Sequence, residues 1–135
     1  MSEIKNYRII STHLGYEDHG IFTFYLNLKG ADGIHVSVGG YVLDSPDNLS
    51  TGLLDKRILT VKGATLIAKV LDTVGVANWE GLNGKYIRVE DNGLGSYITK
   101  FGNLIEDKWI DLDDYFKEDP EWILINLKQR NVLMK

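Results

Sequence analysis

Residues 15–20, Gly-Tyr-Glu-Asp-His-Gly, place two carboxylic acids and a histidine at consecutive positions between two glycines. The carboxylates of Glu17 and Asp18 and the imidazole of His19 can ligate a divalent metal ion or exchange a proton near neutral pH. Three consecutive side chains at a hairpin tip point in different directions, however, and Asp-His-Gly is common in turns. The pattern therefore favours a turn between two strands, with metal binding as the alternative.

The two other histidines, His13 and His35, could also ligate a metal ion together with His19. A three-histidine site requires that neighbouring strands bring His13, His19 and His35 together. In the segment that contains His35, apolar and polar residues alternate, which places His35 on the face opposite Val36 and Val38. We therefore expect His35 to be a solvent-facing or groove residue.

Gly39 and Gly40 interrupt an otherwise regular strand in the segment VSVGGYVLDS, residues 36–45. Glycines inside a strand weaken it unless a bulge is needed or another group approaches the backbone closely. That group can be a neighbouring part of the protein or a bound ligand. Tyr25 and Tyr41 would offer aromatic surface beside a ligand bound there.

Basic residues cluster around the start of a predicted helix. Lys56, Arg57 and Lys62 lie near the point where free backbone N–H groups favour an anion such as phosphate. Arg88 belongs to a second predicted hairpin. The segment TVKGAT lacks the glycine spacing of a phosphate-binding loop, and scattered lysines are also typical of a solvated surface. With the glycines and aromatic residues, the predicted ligand-binding set is Gly39, Gly40, Tyr41, Arg57, Lys62, Trp79 and Arg88.

Hydrophobic spacing predicts the elements that would position these groups. The first three strands, expected to form an antiparallel meander, cover residues 7–14, 21–29 and 34–43. A loop is predicted over 44–56, followed by a helix over 60–74 with Thr60 as N-cap and Gly75 as C-terminal stop. The apolar stripe expected to lie on the sheet consists of Val61, Ala64, Ala68 and Leu71, with Ile67 and Val74 beside it.

The second half of the chain predicts a strand over 85–90, a glycine-rich turn and a fifth strand over 96–106. A short acidic helix is expected to begin at Asp111. Residues 120–133 have a helix start signal in Asp119-Pro120, yet their isoleucines also alternate as in a strand, so both alternatives stay open. We predict one α+β domain over residues 1–135, an antiparallel meander plus a second hairpin packed by one main helix.

Composition removes several classes of protein. The chain has 135 residues, a formal net charge of −4 and no cysteine, which excludes thiol catalysis, cysteine-bound zinc and iron–sulfur clusters. The acidic segment EDKWIDLDDYFKED lacks the glycine and final glutamate of a calcium-binding EF-hand loop. There is no nucleophile elbow, zinc-protease motif or dinucleotide fingerprint, so we predict no cofactor and do not favour an enzyme. With no secretory signal pattern or apolar stretch of ~20 residues, we expect a cytoplasmic protein without a membrane partner.

Four segments carry a resemblance to a known group of proteins: LGYEDHGIFT, GGYVLD, VLDTVGVANWEGLNGKYIRVE and FGNLIEDKWIDLDDYF. Together they resemble a family of small uncharacterised phage and prophage proteins, over roughly residues 13–116. The sequence departs from the family at ADGIHVS, residues 31–37, and in its tail after Phe116. The resemblance implies a viral context and an anti-defence role exerted by binding in the host cytoplasm, and it transfers no catalytic residue.

Three functional hypotheses follow. The preferred one is a non-enzymatic binding protein that sequesters a small anionic, nucleotide-like immune signal of the host. The second is a protein-binding inhibitor of a host nuclease, of anti-CRISPR type, that uses the acidic surface around residues 106–119. The third is a metal-dependent hydrolase built on Glu17, Asp18 and His19. The negative net charge argues against nucleic acid as a partner, and a homodimer with Trp122 and Ile125 at the contact is expected.

Overall fold

The computed structural model describes residues 3–17, 20–46, 57–93 and 97–117, without the side chains of Pro46 and Arg57. Asp18, His19, and the segment 120–133 with its predicted dimer contact at Trp122 and Ile125 lie outside these residues. The strands are β1 (Glu3–Tyr16), β2 (Phe22–Gly30), β3 (His35–Gly39), β4 (Asp44–Pro46), β5 (Arg57–Leu59), β6 (Tyr86–Asp91), β7 (Lys100–Asn103) and β8 (Trp109–Asp111). The helices are α1 (Val61–Val74), a 3₁₀ turn (Trp79–Leu82) and α2 (Leu112–Lys117).

Six of the strands form one antiparallel sheet in the order β3-β2-β1-β6-β7-β8, and β4 pairs with β5 in a separate hairpin. The predicted meander and the second hairpin are thus parts of a single sheet, because the long strand β1 pairs with β2 along one edge and with β6 along the other. The predicted α+β class, with antiparallel strands and one main helix, is confirmed.

The core lies on one face of this sheet, between the strands and α1. Alternate strand residues such as Ile9, Phe24, Leu26 and Ile87 are fully buried there. Strand β1 keeps to this pattern only with a bulge between Ile9 and Ser11, which absorbs one extra residue. The extra residue is Ile10, which follows Ile9 directly in the sequence.

Helix α1 begins and ends where its sequence predicts. The Thr60 side chain accepts a hydrogen bond from the backbone N–H of Gly63 at 2.9 Å, and Gly75 closes the helix in the left-handed conformation. The predicted stripe is wrong at three positions, because Val61 is 85% exposed and Ala64 and Ala68 are exposed. Its other members, Ile67, Leu71 and Val74, pack in or against the core as predicted. The residues of α1 that are buried are Gly63, Leu66, Val70, Thr73 and Val74.

The physical reason for the exposure of Val61, Ala64 and Ala68 is a backbone contact at the start of α1. Gly63 lies so close to Leu43 that any Cβ at position 63 would overlap the Leu43 carbonyl oxygen. The Thr60 hydroxyl also donates to that oxygen, at 3.0 Å. These contacts fix the rotation of the helix and turn Leu66 and Val70, rather than the alanines, toward the sheet.

Two further boundaries differ from the prediction. Residues 44–46, predicted as loop, form β4, while residues 47–56 lie outside the described part. The fifth strand is limited to Lys100–Asn103, because the Asn103 carboxamide oxygen accepts hydrogen bonds from the N–H groups of Ile105 and Glu106 and starts a turn. The short acidic helix follows Asp111 as predicted, and the Asp111 carboxylate accepts from the backbone N–H of Asp114.

Candidate functional site

The Gly39–Gly40 pair has a structural explanation within the chain itself. Both residues have positive φ, 121° and 88°, and a Cβ on Gly39 would overlap the carbonyl oxygen of Phe24. A Cβ on Gly40 would lie 3.2 Å from the ring of Tyr25. The group that approaches this backbone closely is therefore strand β2, and the pair fixes the end of β3 against it.

Tyr41, the next residue, turns toward α2. Its phenol donates a hydrogen bond to the carboxylate of Asp113, and its ring stacks on Phe116 with centroids 5.2 Å apart. Burial and then the Asp113 carboxylate raise the pKa of Tyr41 above its ordinary value. Tyr41 thus fastens α2 to the segment that follows β3.

Lys62 and Trp79 also lie on the helix side of the sheet. The Lys62 ammonium lies 4.5 Å from the ring centroid of Tyr115, whose hydroxyl donates to the Lys62 carbonyl at 2.8 Å. Trp79 packs edge-on against Phe24, with its indole N–H lacking a hydrogen-bond partner among the described residues. Lys62 and Tyr41 therefore both contact helix α2, whereas Trp79 belongs to the core beside β2.

Arg88 lies on the opposite side of the sheet and is held by its surroundings. Its guanidinium donates to the carbonyl oxygens of Asn103 at 2.7 Å and Glu106 at 2.8 Å and lies 4.7 Å from the ring centroid of Trp109. Arg57 lies in β5, and its side chain is outside the described part. Among the predicted residues whose side chains are described, Arg88 lies on the other face of the sheet and Trp79 in the core. Gly39, Gly40, Tyr41 and Lys62 lie on the helix side.

Strands β1 and β2 form the predicted hairpin, in which Gly15 and Tyr16 end β1 and Tyr16 pairs with Phe22. The backbone N–H of Glu17 donates to the carbonyl oxygen of Ile21 and that of Gly20 donates to the carbonyl oxygen of Glu17. The Glu17 carboxylate lies 3.4 Å from Nε2 of His13, forming an ion pair when the imidazole is protonated. Burial and then Glu17 raise the pKa of Tyr25, whose ring centroid lies 5.8 Å from that of His13. Asp18 and His19 lie outside the described residues, among which no group of three or more histidine, aspartate or glutamate side chains could hold a metal ion.

The face of the sheet away from α1, which we call the open face, carries a row of basic side chains. Direct cross-strand pairs connect Tyr86 of β6 to Arg8 of β1, Arg8 to Lys29 of β2, and Lys29 to His35 of β3. All four residues are exposed, Tyr86 at 55%. In the described part of the chain, Arg8, Lys29 and His35 have no acidic partner. We call Arg8, Lys29 and His35 the basic row.

A chain of hydrogen bonds crosses the same three strands next to the basic row. The Ser37 hydroxyl donates to the Asn27 carboxamide oxygen at 2.7 Å, and the Asn27 amide nitrogen donates to the Ser11 hydroxyl oxygen at 2.9 Å. These residues form the second row of the open face, which we call the polar ladder. The basic row and the polar ladder together place charge and directional hydrogen-bonding groups on one rigid surface.

Part of this candidate site could be predicted from the sequence. Strand alternation placed His35 on the face away from Val36 and Val38, and His35 is exposed, in agreement with its prediction as a solvent-facing or groove residue. Arg8 lay one residue from the bulge, and no sequence signal gave the register that brings Arg8 opposite Lys29. Asn27 and Ser37 carried no motif at all.

Comparisons with known proteins add no identification: no protein family, curated protein or solved structure matches the chain. Among the described residues, no helix is long and apolar enough to cross a membrane.

Proposed function

We propose that the protein is a non-enzymatic binding protein that holds a small anionic, nucleotide-like ligand on the open face of its sheet. The observation that carries this proposal is the basic row, in which Arg8, Lys29 and His35 occupy directly paired positions on three adjacent strands. Neighbouring strands lie ~4.8 Å apart, so these groups can converge on a single phosphate or pyrophosphate.

The energetics of the sheet support a binding role for this row. Like charges directly opposite each other on a sheet are destabilising, and Arg8 and Lys29 occupy such a pair without a carboxylate to offset it in the described residues. An anion placed between them removes that repulsion and forms charge-assisted hydrogen bonds with both side chains. The exposed ring of Tyr86, paired with Arg8, offers an adjacent surface for a sugar or an aromatic ring.

Isothermal titration calorimetry tests the proposal with inorganic pyrophosphate, ATP and a cyclic dinucleotide as ligands. The double variant Arg8→Ala/Lys29→Ala should weaken binding of every ligand that the wild-type protein binds, by about ten- to a hundredfold for each charge-assisted hydrogen bond that the substitutions remove. The matched control is Lys62→Ala/Lys69→Ala, which removes the same charge from the helix side. Absence of binding across the three ligands would overturn the proposal, as would loss of binding in the control with binding retained in the double variant.

The viral context belongs to the same proposal. The segments LGYEDHGIFT and FGNLIEDKWIDLDDYF support it by resemblance only, and a host immune signal would be the physiological ligand. Placement of the gene beside anti-defence genes in phage or prophage genomes is the expected result. Consistent placement among housekeeping genes of a cellular genome would contradict it.

A second candidate function, inhibition of a basic host nuclease, is favoured by the acidic surface at the start of α2. Asp113 and Asp114 are exposed there, and exposed Asp107 precedes β8. A pull-down from host lysate should then recover one dominant nuclease, and charge reversal at Asp114 should abolish that recovery. Recovery unchanged by Asp114→Lys would exclude this surface as the contact.

A further inference from the structure

The polar ladder fixes the orientation of one carboxamide on the open face. Asn27 has flanking hydrogen-bond partners on both neighbouring strands, Ser37 of β3 at its oxygen and Ser11 of β1 at its nitrogen. A carboxamide has two N–H donors and an oxygen with two acceptor sites, so each end retains one unused position. Among the described residues no other group binds Asn27.

The two unused positions lie side by side. Because the serines approach from opposite sides along the line β3–β2–β1, the carboxamide plane runs across the strands. Its remaining N–H and its remaining acceptor site are then directed away from the sheet. Asn27 therefore presents a donor beside an acceptor, already oriented, which is the pattern that an asparagine uses to bind the edge of adenine.

The neighbours of Asn27 along β2 leave room for a flat ring. Tyr25 and Lys29 lie two residues to either side on the same face, each about 7 Å away at ~3.4 Å per residue. The ring of Tyr25 lies against Gly40, and its hydroxyl is close to Glu17, both of which are beyond Tyr25 from Asn27. A ring coplanar with the Asn27 carboxamide would stand between Tyr25 and Lys29, about 7 Å along the strand from each of them.

We propose that Asn27 is the specificity-determining residue of the open face, binding the donor–acceptor edge of a nucleobase that stands between Tyr25 and Lys29. This inference rests on the proposed function, since the basic row holds the phosphate of the same ligand. Lys29 belongs to both parts, lying beside the ring and next to Arg8. The ligand class is therefore a nucleotide whose base carries a hydrogen-bond donor next to an acceptor, with adenine as the model case.

The experiment compares ATP with inorganic tripolyphosphate, which carries the phosphates without the base. For the wild-type protein we expect ATP to bind at least about tenfold more tightly than tripolyphosphate, and Asn27→Ala to abolish that difference while leaving the tripolyphosphate affinity unchanged. Ser37→Ala, which removes one of the two groups that orient Asn27, should retain part of the difference. Asn92→Ala, in the exposed turn after β6, is the control and should behave as wild type.

The failure of this inference is distinct from failure of the proposed function. Equal binding of ATP and tripolyphosphate by the wild-type protein would overturn the inference and leave the proposed function standing. A loss of tripolyphosphate binding in Asn27→Ala as large as the loss of ATP binding would also overturn it. No binding of either ligand would overturn both. Circular dichroism and the thermal midpoint of each variant establish that the fold is retained, as expected for side chains whose hydrogen bonds lie at the surface.

Discussion

Replacing Lys29 with glutamate should stabilise the protein and at the same time weaken its binding of anions. Lys29 of β2 pairs directly with Arg8 of β1 on the open face, and both side chains are exposed. The substitution exchanges a repulsive cross-strand pair for an attractive one. If Lys29 lowers the stability of the free protein but contributes to binding, its replacement should raise the free energy of unfolding and weaken anion binding.

The magnitude follows from the cross-strand geometry. Directly opposite side chains have Cβ atoms ~5 Å apart, so their charged groups are separated by about 6 Å. At the dielectric constant of water this separation gives about 0.7 kcal/mol, and screening at physiological ionic strength reduces it to about 0.3 kcal/mol. Removing the repulsion and adding an equal attraction should therefore raise the free energy of unfolding by about 0.6–1.4 kcal/mol.

Urea unfolding at low salt and in 1 M sodium chloride measures the effect. Lys29→Glu should be more stable than the wild-type protein at low salt, and Lys29→Gln should lie halfway between them. The differences should shrink in 1 M salt, where the screening length falls to about 3 Å. Pyrophosphate binding should fall at least about tenfold in Lys29→Glu. A destabilised Lys29→Glu variant, or one that binds pyrophosphate as tightly as wild type, would refute the argument that the basic row is retained for binding.

Three further substitutions have expected outcomes. Gly63→Ala should destabilise the protein by about 1–3 kcal/mol by urea unfolding, despite the better helix propensity of alanine, because its Cβ would overlap a main-chain carbonyl oxygen; a stabilised variant would contradict the packing described for α1. Asp91→Asn should cost about 0.5–1 kcal/mol at pH 7. The backbone N–H of Gly93 in particular holds the pKa of Asp91 below its ordinary value, so the cost should vanish as pH falls through that lowered pKa, and a cost that is unchanged once Asp91 is protonated would be inconsistent with it. Tyr41→Phe removes the hydrogen bond to Asp113 and should lower the free energy of unfolding by about 1 kcal/mol without changing anion affinity. A large loss of anion affinity would instead indicate that the ligand binds on the helix side of the sheet.

Local signals in the sequence predicted the elements whose ends depend on local chemistry. Thr60 and Gly75 bound α1 because capping requires only the neighbouring backbone. The turn signal in Gly-Tyr-Glu-Asp-His-Gly and the hydrophobic spacing of residues 7–14 and 21–29 were likewise sufficient to predict that β1 and β2 form a hairpin. The ends of α1 and the first hairpin are found in the structure as predicted because they depend on neighbouring residues and not on distant contacts.

Features that depend on distant contacts could not be predicted in the same way. The stripe of α1 was wrong at Val61, Ala64 and Ala68 because the Gly63–Leu43 contact, which joins different parts of the chain, sets the helix rotation. The pairing of β1 with β6, which merges two predicted units into one sheet, has no local signal either. The candidate site shares this property, since the basic row exists only through the cross-strand register of Arg8 with Lys29.

The bulge in β1 connects the stability of the core to the composition of the open face. In a regular strand Ser11 would follow Ile9 on the buried side, because side chains two residues apart share a face. The extra residue at Ile10 reverses this phase, so that Tyr7 and Ile9 lie in the core while Ser11 and His13 lie on the open face. Without the bulge, the polar ladder would lose its Ser11 end, and Ser11 would lie opposite Leu26, the position that Thr12 occupies in the structure. The adjacent isoleucines, which weaken the strand pattern in the sequence, are therefore the feature that allows one strand to serve both the core and the proposed binding surface.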